Sequence, residues 1–161
     1  MKTQQIILTV IKAALIVFLI VFLILLMTRE SVKDVSVKKI GEEMSSIKSV
    51  SALNKGTDKT LLRYYDLTGD DYEGYVLYKS GSPMAVDELL IIKVKDESQL
   101  ASVESAMRRR VRSQKSSFEG YGTAQIALLN ARVMDTEGNY VFLAVSKDAE
   151  KWKTAFDRII D

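Results

Sequence analysis

The chain has 161 residues, of which 47% are apolar and 27% are charged, a composition typical of a folded domain rather than of a disordered chain. It contains no Cys and no His, which excludes disulfides, thiol catalysis, lipid attachment at Cys and general-base catalysis by His. The net charge of +2 comes from Lys2 and Lys12, and the remaining acidic and basic residues balance, which argues against nucleic acid as a partner.

The first predicted element is a hydrophobic helix at the N-terminus. Residues 6–27 are apolar apart from Thr9 and Lys12, and the run from Ala13 to Met27 is unbroken. A helix of this length rises about 33 Å, enough for the roughly 30 Å hydrocarbon core of a bilayer. No small-residue cleavage site follows the run, although a cleaved signal peptide stays open as the alternative. We therefore predict that residues 1–28 form a transmembrane anchor.

The orientation of this anchor is not decided by charge alone. The short segment before the hydrophobic run carries Lys2, and the segment after it carries four basic residues among acidic ones: Arg29, Lys33, Lys38 and Lys39. Acidic residues carry little weight in the positive-inside rule, so the basic residues of both flanking segments favour the inner side of the membrane and the rule does not decide the orientation. A hydrophobic helix after a very short basic head favours a signal anchor with its N-terminus inside. We expect the C-terminal domain to lie outside the membrane.

Residues 29–56 predict a membrane-proximal helix followed by a linker, and residues 57–161 predict a single globular domain. Aromatic and β-branched residues predict a strand over Tyr72–Lys79, and alternating apolar residues predict a second over Glu88–Lys95. A capping-box pattern at Asp96–Gln99 then predicts a long helix that ends near Ser116.

The second half of the domain repeats this order. A loop with two glycines leads to a short helix that begins at Thr123. Residues Arg132–Asp135 and Asn139–Val145 predict a hairpin, and a final helix begins at Ser146 or Asp148. The order ββαββα predicts an α+β domain in which a four-stranded antiparallel sheet is packed by helices on one face.

The charged clusters predict neither a metal site nor a cofactor site. The acidic residues between Asp66 and Glu73 lack the alternating oxygen ligands of an EF-hand loop, and turn formation is the simpler interpretation. The basic run from Arg108 to Arg112 lies on a predicted helix, where three consecutive residues span about 200° and cannot all face one ligand. A polar helix face explains this run, with an anionic surface as the alternative.

The candidate interaction surface is drawn from loop residues. The two glycines that flank Tyr121 allow positive φ angles and a close approach by a partner. Tyr121 could instead belong to the core. Two carboxylates near Met84 are placed where loops gather, and such a pair can perform acid–base catalysis at a suitable separation. The candidate surface consists of Glu119, Gly120, Tyr121, Gly122, Asp87 and Glu88. No catalytic motif is recognised among them.

Four stretches carry a resemblance to a known family: YYDLTGDDYEGYVLYK, MAVDELLIIKVKD, SFEGYGTAQ and GNYVFLAVSKDAE. In order and spacing, residues 64–156 resemble the bacterial family called domain of unknown function 4358. Relatives are typically secreted or tethered to the membrane in Gram-positive bacteria, many of them as lipoproteins. This chain has no lipobox Cys, so the hydrophobic helix would replace the lipid as anchor. The resemblance implies an extracytoplasmic domain and supplies no activity.

These observations predict a single-pass protein of the bacterial cell membrane that serves as a binding or scaffolding module of the cell envelope. We expect two kinds of contact, one with the bilayer through the N-terminal helix and one with a protein or a wall polymer. We do not expect an enzyme. Two alternatives stay open, namely an envelope hydrolase that uses Asp or Glu and a structural subunit of a membrane complex.

Overall fold

The computed structural model describes residues 11–22 and 32–161, which belong to two separate compact units divided at Ser31. In the first unit, residues 11–22 form a helix, α1, whose residues are all exposed. The remainder of the predicted anchor, residues 1–10 and 23–28, lies outside the described residues. Within the described ranges, no helix combines the length and the hydropathy that a membrane span needs.

Residues 32–161 form an α+β fold around one antiparallel sheet. Its strands are β1 (Asn54–Lys55), β2 (Gly74–Lys79), β3 (Glu88–Lys93), β4 (Val133–Glu137) and β5 (Tyr140–Val145). The helices are α2 (Val37–Ser46), α3 (Lys48–Ser51), α4 (Asp58–Tyr65), α5 (Leu100–Phe118), α6 (Thr123–Asn130) and α7 (Ala149–Ile160). The strand order is β1-β2-β3-β5-β4.

The antiparallel α+β architecture is confirmed, but the prediction of four strands is wrong because the sheet has five. The additional strand is β1, which pairs two residues with the end of β2. Both β1 residues are exposed, so the strand has no apolar alternation that a sequence could reveal.

The prediction that helices pack on one face of the sheet is also wrong. On one face, Leu90 and Ile92 of β3 contact residues of α4, α5 and α6; we call this the α5 face. On the other face, Leu89 and Ile91 contact residues of α2, α3 and α7; we call this the α7 face. The reason lies in the two central strands, β3 and β5, in which every residue is buried. Strands that are apolar on both sides must be covered on both sides.

Residues 32–56, the described part of the segment that the sequence assigned to a membrane-proximal helix and linker, are part of the fold. Ile40 and Met44 of α2 are completely buried on the α7 face. Just before α2, the Val35 amide donates to Tyr140 Oη at 2.9 Å, and Tyr140 Oη donates to the Val35 carbonyl at 2.8 Å. The Lys33 amide also donates to the Ile160 carbonyl at 2.7 Å. We call these three bonds the N-terminal clasp, and they tie the start of the compact unit to β5 and to the end of α7.

Local sequence explains where the helices begin and end. A capping box between Thr57 and Thr60 opens α4, and Asp66, with a left-handed φ of 58°, ends it. The predicted capping box at Asp96–Gln99 is present and leads into α5, which continues two residues beyond the predicted end at Ser116. These two helices position the residues described next.

Candidate functional site

The loop between α5 and α6 depends on both of its glycines. Gly120 adopts a φ of +87°, a conformation that strains residues with a side chain. A Cβ atom at Gly122 would lie 2.6 Å from Cδ1 of Phe118, so the chain can pass this ring only without a side chain. The turn therefore brings the start of α6 directly against the end of α5.

Tyr121 lies on the surface between these glycines and not in the core. Its side chain is 65% exposed, and its hydroxyl donates to the Ser117 carbonyl at 2.6 Å. Its ring is tilted against that of Phe118, with the ring centroids 5.7 Å apart. The hydrogen bond and the ring contact hold Tyr121 in a defined position although most of it faces solvent.

Tyr121 forms part of a groove of about 660 Å³, which we call the α5–α6 groove. Phe118 and Ile126 supply further apolar surface, and Arg112 and Lys115 supply positive charge. Glu119, Gly120 and Gly122 of the candidate surface also line it. This volume lies within the usual range of small-molecule and peptide pockets. The mixture of aromatic surface and cations suits a ligand with an apolar group and a carboxylate.

Asp87 and Glu88, the other two candidate residues, lie outside this groove. They line a neighbouring pocket of about 230 Å³, which we call the Glu88 pocket. Phe118 lines both cavities, so the groove and the pocket adjoin at its ring. The six candidate residues are thus divided between two adjacent cavities.

Glu88 is buried and is held by three side chains, which together we call the Glu88 network. Tyr65 Oη donates to Glu88 Oε1 at 2.8 Å. Arg110 Nη2 and Gln114 Nε2 donate to Glu88 Oε2 at 3.0 Å and 3.2 Å. Burial, followed by the charge of Glu88, raises the pKa of Tyr65 well above its usual value, so its hydroxyl remains a donor. Every partner donates, and the two oxygens of the Glu88 carboxyl group accept.

Sequence reasoning missed Arg110 and Gln114 as partners of Glu88. The available signal was their spacing of four residues, which places both on one side of α5. The rest of the basic run points elsewhere, because Arg108 pairs with Glu104 and Arg109 donates to Ser105. Gln114 keeps one unsatisfied group, since its buried Oε1 has no hydrogen-bond partner within the described part of the chain.

No metal centre is evident at either cavity. Across residues 11–22 and 32–161, no group of three or more acidic side chains is arranged to hold a metal ion. The chemistry available in the two cavities is that of cations, carboxyl groups, amides and aromatic surface.

Comparison with known proteins identifies the family. The sequence model of a family described as a domain of unknown function, DUF4358, matches residues 46–146. The chain belongs to the DUF4358 family. The resemblance drawn from the four sequence stretches is thereby confirmed. No curated protein and no solved structure gives a significant match.

The DUF4358 match covers the elements that build both cavities. It runs from the last residue of α2 to Ser146, and so includes α4, α5 and α6. Helix α7 and nearly all of α2 lie outside the match. The α5 face, with its groove and its buried network, therefore lies within the family's shared region, whereas the α7 face is completed by residues beyond it.

Proposed function

We propose that this DUF4358 protein is a binding module of the bacterial cell envelope, anchored by residues 1–28 with its folded domain outside the membrane. The apolar run of residues 6–27 supports the anchor, because its length suits a bilayer. We further propose that the module docks a segment of a partner protein in the α5–α6 groove, through an apolar side chain beside an acidic one.

The observation that carries this proposal is the position of Tyr121. An aromatic side chain that is 65% exposed yet fixed by a hydrogen bond loses little conformational entropy when a partner covers it. Tyrosines in such positions are enriched among the residues that dominate binding energy. Two cations, Arg112 and Lys115, line the groove against one carboxylate, Glu119, and this balance favours an acidic partner residue.

The docking surface can be tested by photo-crosslinking in intact cells. A photoreactive phenylalanine analogue at Tyr121 should give an adduct with a protein. The same analogue at Leu62, which is 53% exposed on α4, serves as the matched control and should not give that adduct. An adduct with wall polymer alone, or equal adducts at both positions, would refute the protein-docking proposal.

The anchor and its orientation require a separate test. Protease added to intact protoplasts should remove the folded domain, and the full chain should stay in the membrane fraction after a carbonate wash. Intact mass should match the full chain, allowing for loss of the N-terminal formyl group or Met1. Protection of the domain, or release of the chain by carbonate, would contradict the proposed topology.

The two alternative functions are less well supported by the geometry. A hydrolase needs a carboxyl group whose oxygens can reach a substrate, whereas both oxygens of the buried Glu88 accept hydrogen bonds from Tyr65, Arg110 and Gln114. A structural subunit of a membrane complex would also crosslink at Tyr121. Such a subunit would copurify with its partner in fixed stoichiometry in mild detergent, which distinguishes it from a transient binding module.

A further inference from the structure

A third cavity adjoins the Glu88 pocket, with which it shares Tyr64 and Lys79 as lining residues. It occupies about 290 Å³ between β1, α4 and β2, and we call it the α4 pocket. Its charged lining residues are all basic: Lys55, Lys59, Arg63 and Lys79. The remaining lining residues are uncharged, so positive charge gathers here without a carboxylate in the wall.

These four cations also lack a carboxylate partner in the folded unit, although Lys79 Nζ donates to the Ser80 carbonyl at 2.8 Å. Within residues 32–161, no Asp or Glu oxygen lies within 4.0 Å of any of them. Six of the twenty basic residues in this range do have such partners: Lys38, Lys93, Arg108, Arg110, Lys151 and Lys153. The four cations differ from the other unpaired basic residues because they line one pocket together. Like charges gathered around a concave surface repel one another, and a bound anion relieves that repulsion.

Tyr64 brings two of these cations to one wall of the pocket. The Lys79 Nζ atom lies 5.1 Å from the centroid of the Tyr64 ring, and the Arg63 Cζ atom lies 5.5 Å from it. Arg110 also lies over this ring, at 4.4 Å, but its charge is neutralised by Glu88. Arg63 and Lys79 therefore remain as the uncompensated charges beside Tyr64.

We propose that the α4 pocket binds the phosphate groups of an anionic ligand. The planar guanidinium of Arg63 can donate two parallel hydrogen bonds to phosphate oxygens, and the lysines add point charges around the same group. The Asn54 side chain at the rim offers an uncharged donor. A soluble glycerol-phosphate polymer and a phospholipid headgroup share this chemistry. The site is separate from the α5–α6 groove, with which it shares no lining residue.

The test is a calorimetric titration of the full chain in an uncharged detergent. Three ligands are compared: a soluble glycerol-phosphate oligomer, a short-chain phosphatidylglycerol and a tricarboxylate without phosphate. At least one phosphate ligand should bind, more tightly than the tricarboxylate, and the affinity should fall as salt concentration rises. Binding of the oligomer alone identifies a soluble polymer as the source of the phosphate, and binding of the lipid alone identifies a membrane headgroup.

Two double variants with the same loss of charge locate the site. Lys59→Gln with Arg63→Gln should weaken phosphate binding about tenfold, because two charged contacts are lost. Lys39→Gln with Lys147→Gln removes two exposed charges elsewhere and should leave binding unchanged. Circular dichroism should be the same for both, since all four residues are exposed.

Three results would overturn the proposal: binding of neither phosphate ligand, equal affinity for the tricarboxylate, or equal weakening in both double variants. None of them bears on the crosslink at Tyr121, so the α4 pocket and the docking groove can fail independently.

Discussion

Strand β3 begins and ends with a buried charge, and the two charges are neutralised in different ways. Glu88 is 1% exposed and Lys93 is 2% exposed. They point to opposite faces of the sheet, because successive side chains of a strand alternate. Glu88 joins the Glu88 network on the α5 face, and Lys93 Nζ contacts carboxylates of Asp34 and Glu73 on the α7 face.

The difference lies in the partners. The Arg110 side chain that pairs with Glu88 is only 13% exposed, whereas the Asp34 side chain is 84% exposed and that of Glu73 is 47% exposed. If one exposed carboxylate beside Lys93 is lost, water can enter its place and solvate the ammonium group. Water has little access to the position of Arg110. The comparison indicates that losing a partner of a buried charge costs more stability when that partner is itself buried.

Loss of Arg110 should have the largest effect on stability. Arg110→Met leaves the Glu88 carboxylate buried without its cation, which we expect to cost about 3–5 kcal/mol. Arg109→Met, one residue away on the exposed side of α5, should change stability by less than about 0.5 kcal/mol. Urea denaturation measures both values. A loss below about 1 kcal/mol for Arg110→Met would mean that the buried partner of Glu88 matters no more for stability than the exposed partners of Lys93.

Breaking the N-terminal clasp should cause the second-largest loss of stability. Tyr140→Phe removes the hydroxyl that satisfies both the amide and the carbonyl of Val35, and we expect a loss of about 1–3 kcal/mol. The Val35 amide should also exchange its hydrogen faster. Tyr78→Phe, a buried tyrosine outside the clasp, provides the control. Unchanged exchange at Val35 would show that the clasp does not hold this segment.

A smaller effect is expected at the exposed partners of Lys93. Asp34→Asn should cost less than about 1 kcal/mol, since Glu73 Oε1 still lies 2.5 Å from Lys93 Nζ, and added salt should abolish the difference. The double variant Asp34→Asn with Glu73→Gln should lose more than the sum of the single variants, because Lys93 is then buried without a partner. Additive losses in denaturation experiments would show that the carboxylates do not substitute for one another.

The tyrosines near the two ends of β3 provide the finest comparison. Burial and then Glu88 raise the pKa of Tyr65 well above its usual value. Burial also raises the pKa of Tyr140. The hydrogen bond from the Val35 amide and the charge of Lys93 act in the opposite direction and reduce this increase. A raised folded-state pKa stabilises the fold fully below the unfolded pKa of about 10, and this contribution is lost as pH rises through the folded value.

Tyr140 should therefore ionise before Tyr65. In an ultraviolet titration after a rapid pH jump, Tyr140→Phe should remove an earlier step and Tyr65→Phe a later one. The reverse order would mean that Glu88 and Lys93 do not impose opposite electrostatic environments on these hydroxyl groups.

Much of the fold was predictable from local pattern. The capping box at Asp96–Gln99, the helix that follows it and the two central strands need only nearby residues to be recognised. Burial on both faces was also encoded, because Leu89–Ile92 and Tyr140–Val145 are continuous apolar runs, a pattern typical of strands covered on both sides. Strand β1 was not predictable, because its two exposed residues are paired only by the fold.

The parts of the candidate site that are contiguous in the sequence were predictable, and the contacts between residues far apart in the sequence were not. The loop at Glu119–Gly122 has a composition that reveals a tight turn, so its residues could be selected from the sequence. The pairing of Glu88 with Arg110 joins residues separated by 22 positions, and no local rule connects them. The α4 pocket likewise combines Lys59 with Lys79, which meet only after β2 pairs with β1.

The clasp also determines how the domain would respond to mechanical force. The chain enters the folded unit beside its other end, because Lys33 is bonded to Ile160, the last residue of α7. Tension transmitted from an N-terminal tether reaches the Lys33 bond first and then the bonds that join Val35 to the side chain of Tyr140, before it reaches the backbone ladder of the sheet. Forced unfolding follows the rate at which the first barrier is crossed. The α7 face should therefore open first under load, releasing α2, while the groove and the Glu88 network on the other face remain assembled.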